Sequence, residues 1–153
     1  LAVAVGRVGK GTIMSSLVRD RGDGRRGSAV DGKGKHAVTH VQPSEHFGDA
    51  YTLVECRLET GRTHQIRIHL AESGHPICGE RVYSAPLGSE LKDQSLAPRV
   101  ALHAAELGFI HPVTGDEMLF HSILPKDLQE VLKRLAKIHG QEIIEPPHEP
   151  PIC

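Results

Sequence analysis

Residues 51–58, YTLVECRL, alternate without a break. Tyr51, Leu53, Glu55 and Arg57 share one face of an extended chain, and Thr52, Val54, Cys56 and Leu58 share the other. A period of two over eight residues commits this stretch to a half-buried strand, and the next segment has to pack beside it. That segment is ETGRTHQIRIHLAESG, which crowds Arg62, Thr63, His64, Gln65 and Arg67, five side chains able to contact an anion or a base, around one polar turn. The alternation of His64, Ile66, Ile68 and Leu70 with Gln65, Arg67 and His69 favours a second strand. The unbroken Ala71, Glu72 and Ser73, with Gly74 where a helix stops, favours a helix. As a helix, the segment would present Arg62 to Gln65 at an N-terminus whose free N–H groups attract phosphate. As a strand, it would line an open sheet face with Arg57, Gln65, Arg67 and His69.

At 153 residues the chain has the size of one domain, with a core short of aromatic rings: three Phe, two Tyr and no Trp. The formal charge of -1 excludes whole-molecule attraction to a polyanion, so any such site has to be local. Basic charge is indeed concentrated in residues 18–36, which carry Arg19, Arg21, Arg25, Arg26, Lys33 and Lys35 against Asp20, Asp23 and Asp31. Five glycines there oppose regular structure, so a mobile basic loop is expected that follows phosphates without reading bases. The near-match GRVGKGT at residues 6–12 lacks the spacing of a nucleotide-binding loop, because Gly11 follows Lys10. Histidine is abundant, yet neither the eleven His nor the three Cys fall in metal-binding spacing, so no metal is expected. An odd cysteine count and the lack of a long apolar run favour a reducing, cytoplasmic setting without a membrane span.

The remaining elements are read from local pattern. Residues 1–5 form a short apolar run that begins as if inside a strand. Residues 35–42 favour another strand, with residues 43–50 connecting it to the alternating one as an antiparallel pair. Residues 84–99 read as loop and residues 100–105 and 106–110 as extended. Pro112 and Gly115 then mark a hairpin across which Phe109 and Phe120 would pack. From Pro125, Leu128, Val131, Leu132 and Leu135 recur at three- and four-residue spacing, predicting an amphipathic helix that Gly140 ends. Residues 1–140 form the domain, and residues 141–153, with four prolines, read as an extended or disordered tail.

The segment LVECRLETGRTHQIRIHLAESGHPICGERVY resembles the GRTHQ signature of the RluA-type pseudouridine synthases. The resemblance extends to GTI at residues 11–13, RDRGDGRR at 19–26, GKHAVTH at 34–40 and LHAAELGFIHPVTGDEMLFHSILPKDL at 102–128. It implies an α+β catalytic domain, a mixed and largely antiparallel sheet with flanking helices and an RNA cleft, and it implies a helix at residues 63–73. It also implies uridine isomerisation in structured ribosomal or transfer RNA with neither metal nor cofactor. Arg62 would then stand beside the target uridine, Thr63, His64 and Gln65 would shape the same wall, and Arg19, Arg21, Arg25, Arg26, Lys33 and Lys35 would hold the RNA backbone. The family's nucleophilic aspartate stands in an H-R-L-D segment, and its tyrosine in a K-x-Y segment. Neither occurs among these residues, so the expectation is the C-terminal portion of a catalytic domain, incomplete at its N-terminus and inactive alone. Glu80 stands where the family favours aspartate, and Ser84 where it favours glycine. The competing reading is a noncatalytic RNA-binding or assembly module.

Overall fold

A computed structural model describes residues 1–83 and 91–140. The alternating stretch is strand β5 (Tyr51–Leu58) of an antiparallel five-stranded sheet ordered β1-β5-β4-β2-β3. Its partners are β1 (Ala2–Val5), β2 (Gly11–Val18), β3 (Gly27–Ser28) and β4 (Lys35–Phe47). Helix α1 (Gln65–Glu72) comes directly after β5. A separate hairpin, β6 (Glu106–Ile110) and β7 (Glu117–His121), precedes helix α2 (Lys126–Ile138). This is the α+β architecture of sheet and flanking helices implied by the resemblance.

Each element has its origin in its residues. β1 is buried at all four positions, as expected of a strand that is apolar on both faces. One of its edges pairs with β5, and the other is closed by backbone bonds to residues 76–78 and 101–103. In β4, Ala37, Thr39 and Val41 face α1, while His40 and Gln42 point the other way. α2 buries Leu128, Val131, Leu135 and Ala136 in one cluster with Val3, Val5, Phe47, Tyr51, Val54 and Leu70. Truncating either Leu128 or Leu135, each 1% exposed, would cost about 2–5 kcal/mol.

Several expectations are corrected. β4 does not end at Gln42. It runs on through Pro43, where a bulge between Pro43 and Glu45 absorbs the proline, and only residues 48–50 turn the chain. Residues 101–105 make a single bridge, Ala2 to Leu102, instead of a strand, because their backbone groups are divided among β1, Cys78 and Ser122. α1 begins at Gln65, two residues later than expected, because His64 takes a left-handed conformation (φ 57°) that ends the preceding turn. The basic stretch is not without structure: β3 pairs with the end of β2, and Asp20 accepts backbone N–H bonds from Gly22 and Gly24. Residues 91–99 contain neither helix nor strand, as expected of a loop, whereas residues 84–90 and the tail from 141 lie outside the described residues.

Candidate functional site

The β2–β4 and β5–α1 connections meet because the strand register brings them together. Leu17 pairs with Lys35 and Thr39 with Leu58, so the ends of β2 and β5 flank the start of β4. Between them lies a groove of about 500 Å³ lined by Arg19, Arg26, Lys33, Lys35 and Arg62, with Thr63 at its edge and Leu17 and Ile68 in its wall. No carboxylate among the described residues lines it. Among the described residues, Arg19, Arg26, Lys35 and Arg62 form no ion pair, and Lys33 has only the exposed Asp31 at 3.5 Å. The Arg62 Nε–H donates to the His36 carbonyl at 3.2 Å, which pins the base of that side chain against β4. Gly34 is required here. A Cβ at this position would stand 2.6 Å from the Ser16 carbonyl carbon of β2, so any other residue would push this turn away from the strand.

The predicted site residues separate into three groups. Arg62, Thr63, Arg19, Arg26, Lys33 and Lys35 meet in the groove. Arg21 and Arg25 do not line it: Arg21 pairs with Asp23 at 2.9 Å and lies 3.8 Å from Glu72, and Arg25 donates to the Val82 carbonyl. Gln65 turns inward. It is 2% exposed, accepts from the Thr60 hydroxyl and the Arg62 N–H, and donates to the Val38 carbonyl and Thr39 Oγ1. It therefore braces the turn that carries Arg62 and does not face the groove. His64 also points elsewhere, its Nδ1 lying 2.7 Å from the Tyr83 hydroxyl.

That contact opens onto a network that periodicity gives no reason to single out. Arg67 makes two bonds to Glu80, 2.6 and 2.8 Å long, and lies 5.1 Å from the Tyr83 ring centroid. The Glu80 side chain is 1% exposed and also accepts the N–H groups of Arg81, Val82 and Tyr83. Burial pushes the Glu80 carboxyl up, but the Arg67 guanidinium and those backbone donors outweigh it and hold it below its usual value. The same bond raises Arg67. Burial, then the cations Arg67 and Arg26, lower His64, which favours a neutral ring beside Tyr83. Local pattern offers only a lone acidic residue after Gly79 in a constrained loop, thirteen residues beyond its partner, while the family resemblance marks Glu80 as an acidic position without naming Arg67 as its partner.

Other candidates lack comparable chemistry. A hollow of about 360 Å³ between Lys10, Thr12, His40 and Arg57 includes Glu55, which pairs with Arg57 at 3.1 Å and cancels its charge. No group of three or more His, Cys, Asp or Glu among the described residues is arranged to hold a metal ion. Burial pushes the thiols of Cys56 and Cys78 up to about 11 and about 12, leaving both protonated and unreactive at neutral pH.

Comparison with known proteins bears on the family and the fold. The model of the RNA pseudouridylate synthase family matches residues 3–72. Ribosomal large subunit pseudouridine synthase D of Vibrio vulnificus is 40% identical over 149 residues, covering 91% of this chain and 46% of that protein. The uncharacterized RNA pseudouridine synthase YlyB of Bacillus subtilis is 44% identical over 127 residues, covering 83% of this chain and 39% of that protein. The chain thus spans less than half the length of these curated relatives. Human RNA pseudouridylate synthase domain containing 4 superposes with a TM-score of 0.67 at 25% identity, over 88% of this chain and 60% of the other. Human RNA pseudouridylate synthase domain containing 1, at 22% identity and a TM-score of 0.64, shares the fold. The sheet and helices, the sequence match through the Arg62 turn and the likeness of the relatives agree: this chain belongs to the RNA pseudouridylate synthase family.

Proposed function

We propose that this chain is the RNA-holding part of a catalytic domain that isomerises uridine to pseudouridine in ribosomal or transfer RNA. The observation that carries the reading is the groove beside Arg62, which among the described residues gathers five cations and no carboxylate. Phosphates of a folded RNA satisfy such a surface: each Lys or Arg neutralises backbone charge and releases counterions, which fixes position without reading sequence. Arg62 and Thr63 stand at the end of the groove nearest α1, where a nucleotide turned out of its stack would meet them. Arg21, Arg25, His64 and Gln65 act behind this surface, holding the loops and the turn that present it.

The isomerisation is redox-neutral. A carboxylate takes ribose C1′ as the bond from C1′ to N1 breaks, the uracil rotates, and C5 displaces the carboxylate to form the C1′–C5 bond. The C5 proton is then lost and N1, freed from the ribose, gains one. No metal or cofactor is required for those steps. Since no Asp or Glu among the described residues lines the groove, we place the attacking carboxylate elsewhere in the catalytic domain and expect these 153 residues alone to bind RNA without converting it. A cytoplasmic setting accords with the unpaired thiols of Cys56 and Cys78.

The test measures two quantities on unmodified ribosomal and transfer RNA. The first is the salt dependence of binding, for which five phosphate contacts give a slope of log K against log salt of about -3.5 on single strands. The second is pseudouridine formation. Salt-independent or absent binding overturns the RNA reading. Turnover by these 153 residues alone overturns the placement of the nucleophile. Binding by the whole domain without turnover favours the noncatalytic module, to which the carboxylate-free groove also conforms.

A further inference from the structure

Three buried side chains between α1 and β4 are polar, Thr39, Gln65 and His69, although their neighbours Leu17, Ala37, Ile68 and Ala71 form an apolar cluster. Polar groups at this depth cost stability unless each is bonded, and among the described residues no buried side-chain nitrogen or oxygen lacks a partner. A fully bonded network admits one arrangement of its members, where apolar packing tolerates several. Its value lies in what it holds in place.

The direction of each bond follows by elimination. The Val38 carbonyl can only accept and the Arg62 N–H can only donate, so the Gln65 amide has one orientation: Nε2 faces Val38 O and Thr39 Oγ1 at 2.9 and 3.0 Å, and Oε1 faces Arg62 N and Thr60 Oγ1 at 3.0 and 2.8 Å. Thr60 accepts the Val38 N–H at 3.0 Å and spends its own proton on Gln65. Thr39, having accepted from Gln65, gives its proton to His69 Nδ1, and the ring then donates from Nε2 to Ser15 Oγ. Burial favours the neutral ring that this requires. The two threonines thus hold opposite ends of one amide. Gln65 in turn holds Arg62 by both of its peptide groups, because the Gln65 N–H donates to the Arg62 carbonyl at 3.0 Å while the side chain accepts the Arg62 N–H. The Arg62 Nε–H is fixed separately on the His36 carbonyl of the same strand, β4, which leaves the outer guanidinium nitrogens for the groove.

We propose that Thr39 and Thr60 are positioning residues: through the Gln65 amide they fix the backbone of Arg62 so that its guanidinium meets an RNA phosphate in the groove. The proposal rests on the RNA reading above, and two measurements on the 153 residues separate the two. One is hydrogen exchange of the Arg62 amide, followed by NMR without RNA, and the other is affinity for single-stranded RNA. Thr39→Val keeps the shape of the side chain and removes its hydroxyl. It should speed Arg62 exchange on the order of tenfold while the amides of β1 and β5 keep their rates, and it should lower RNA affinity by about threefold or more. In an Arg62→Ala background the same substitution should cost no affinity, and Thr39→Ser should behave as the unsubstituted chain in both measurements. A merely structural loss would lower affinity equally in both backgrounds, so additive losses overturn the inference. An Arg62 amide that is not accelerated by Thr39→Val overturns it whether or not RNA binds. If the unsubstituted chain binds no RNA while Thr39→Val does speed the Arg62 amide, the function proposed above fails and the positioning of Arg62 stands. Should Thr39→Val not fold, Thr60→Val, at the half-buried end of the amide, must give the same acceleration and a loss of affinity confined to chains that keep Arg62, and its failure to do so overturns the inference equally.

Discussion

Replacing Glu80 tests whether the buried ion pair secures the loop behind the groove. The carboxylate is 1% exposed, takes two bonds from Arg67, itself 19% exposed, and accepts three backbone N–H groups. Glu80→Gln keeps the shape and an oxygen for the backbone donors but turns an amide N–H towards the guanidinium, leaving a mostly buried cation unpaired. Breaking such a pair costs about 3–5 kcal/mol, a large part of an ordinary domain's stability. In urea, with a slope of about 2 kcal/mol per molar, the midpoint should fall by roughly 1.5–2.5 M. Adding Arg67→Met removes the orphaned charge and should recover about 1–3 kcal/mol of the loss, which a double-mutant cycle reads directly. The pH dependence carries a sign. Glu80 is held below its usual carboxyl value, so its contribution is complete above pH 4.5 and disappears as pH falls through the lower folded value. Glu80→Gln should flatten that acid limb. A loss below about 1 kcal/mol, or a double variant no better than Glu80→Gln alone, would falsify the assignment of the pair as the loop's anchor.

The same contacts set three further outcomes. His69 is 1% exposed between Ser15 and Thr39, and burial lowers its pKa, so the fold prefers the neutral ring; stability should be full above about pH 6.5 and decline as pH falls below it, and His69→Gln should remove that dependence from urea midpoints taken at about pH 8 and 5.5. Arg62→Ala and Lys35→Ala should each lower the salt slope of single-stranded RNA binding by about 0.7, whereas Arg21→Ala, outside the groove and paired with Asp23, should leave it unchanged in the same titration. Tyr83→Phe removes only the hydroxyl that meets His64 and should cost about 1 kcal/mol in urea unfolding, while Tyr83→Ala also removes the ring near Arg67 and should cost at least about 2 kcal/mol more.

The residues that are easy to read in sequence are those whose pattern has one physical cause. β5 alternates because one face meets the core, and α2 shows three- and four-residue spacing because Leu128, Val131 and Leu135 all dock on one side. α1 is ambiguous for a reason visible in its packing. Its inward positions include Gln65 and His69, four apart, and both spend their polarity on Thr39 of β4, so the helical stripe is part polar and the alternating Ile66, Ile68 and Leu70 mimic a strand. Family resemblance resolves what periodicity cannot. The same polar inner face explains why Gln65 reads as a contact residue: an amide in a basic turn looks available until its four bonds are counted. The Arg67–Glu80 pair is illegible because it joins a helix to a loop across thirteen residues with no repeating spacing.

The groove shows how such ordinary packing generates a local charge that composition conceals. The chain as a whole is nearly neutral, and Arg19, Lys33 and Arg62 are scattered over more than forty positions. They converge because Ala37, Thr39 and Val41 have to face α1, which fixes the β2–β4 and β4–β5 registers and leaves the ends of those strands side by side. A one-residue slip of β4 would turn Val38 and His40 inward and deprive Gln65 and His69 of Thr39. It would also move the His36 carbonyl away from Arg62. Selection against that slip acts through the core, yet its effect on the surface is to hold five cations around one groove. The cationic surface is therefore as rigid as the sheet beneath it at Lys35 and Arg62. At Arg19 and Arg26 it depends on β3, two residues long, and on the Asp20 turn, which makes that side of the groove the one able to adapt to the shape of an RNA backbone.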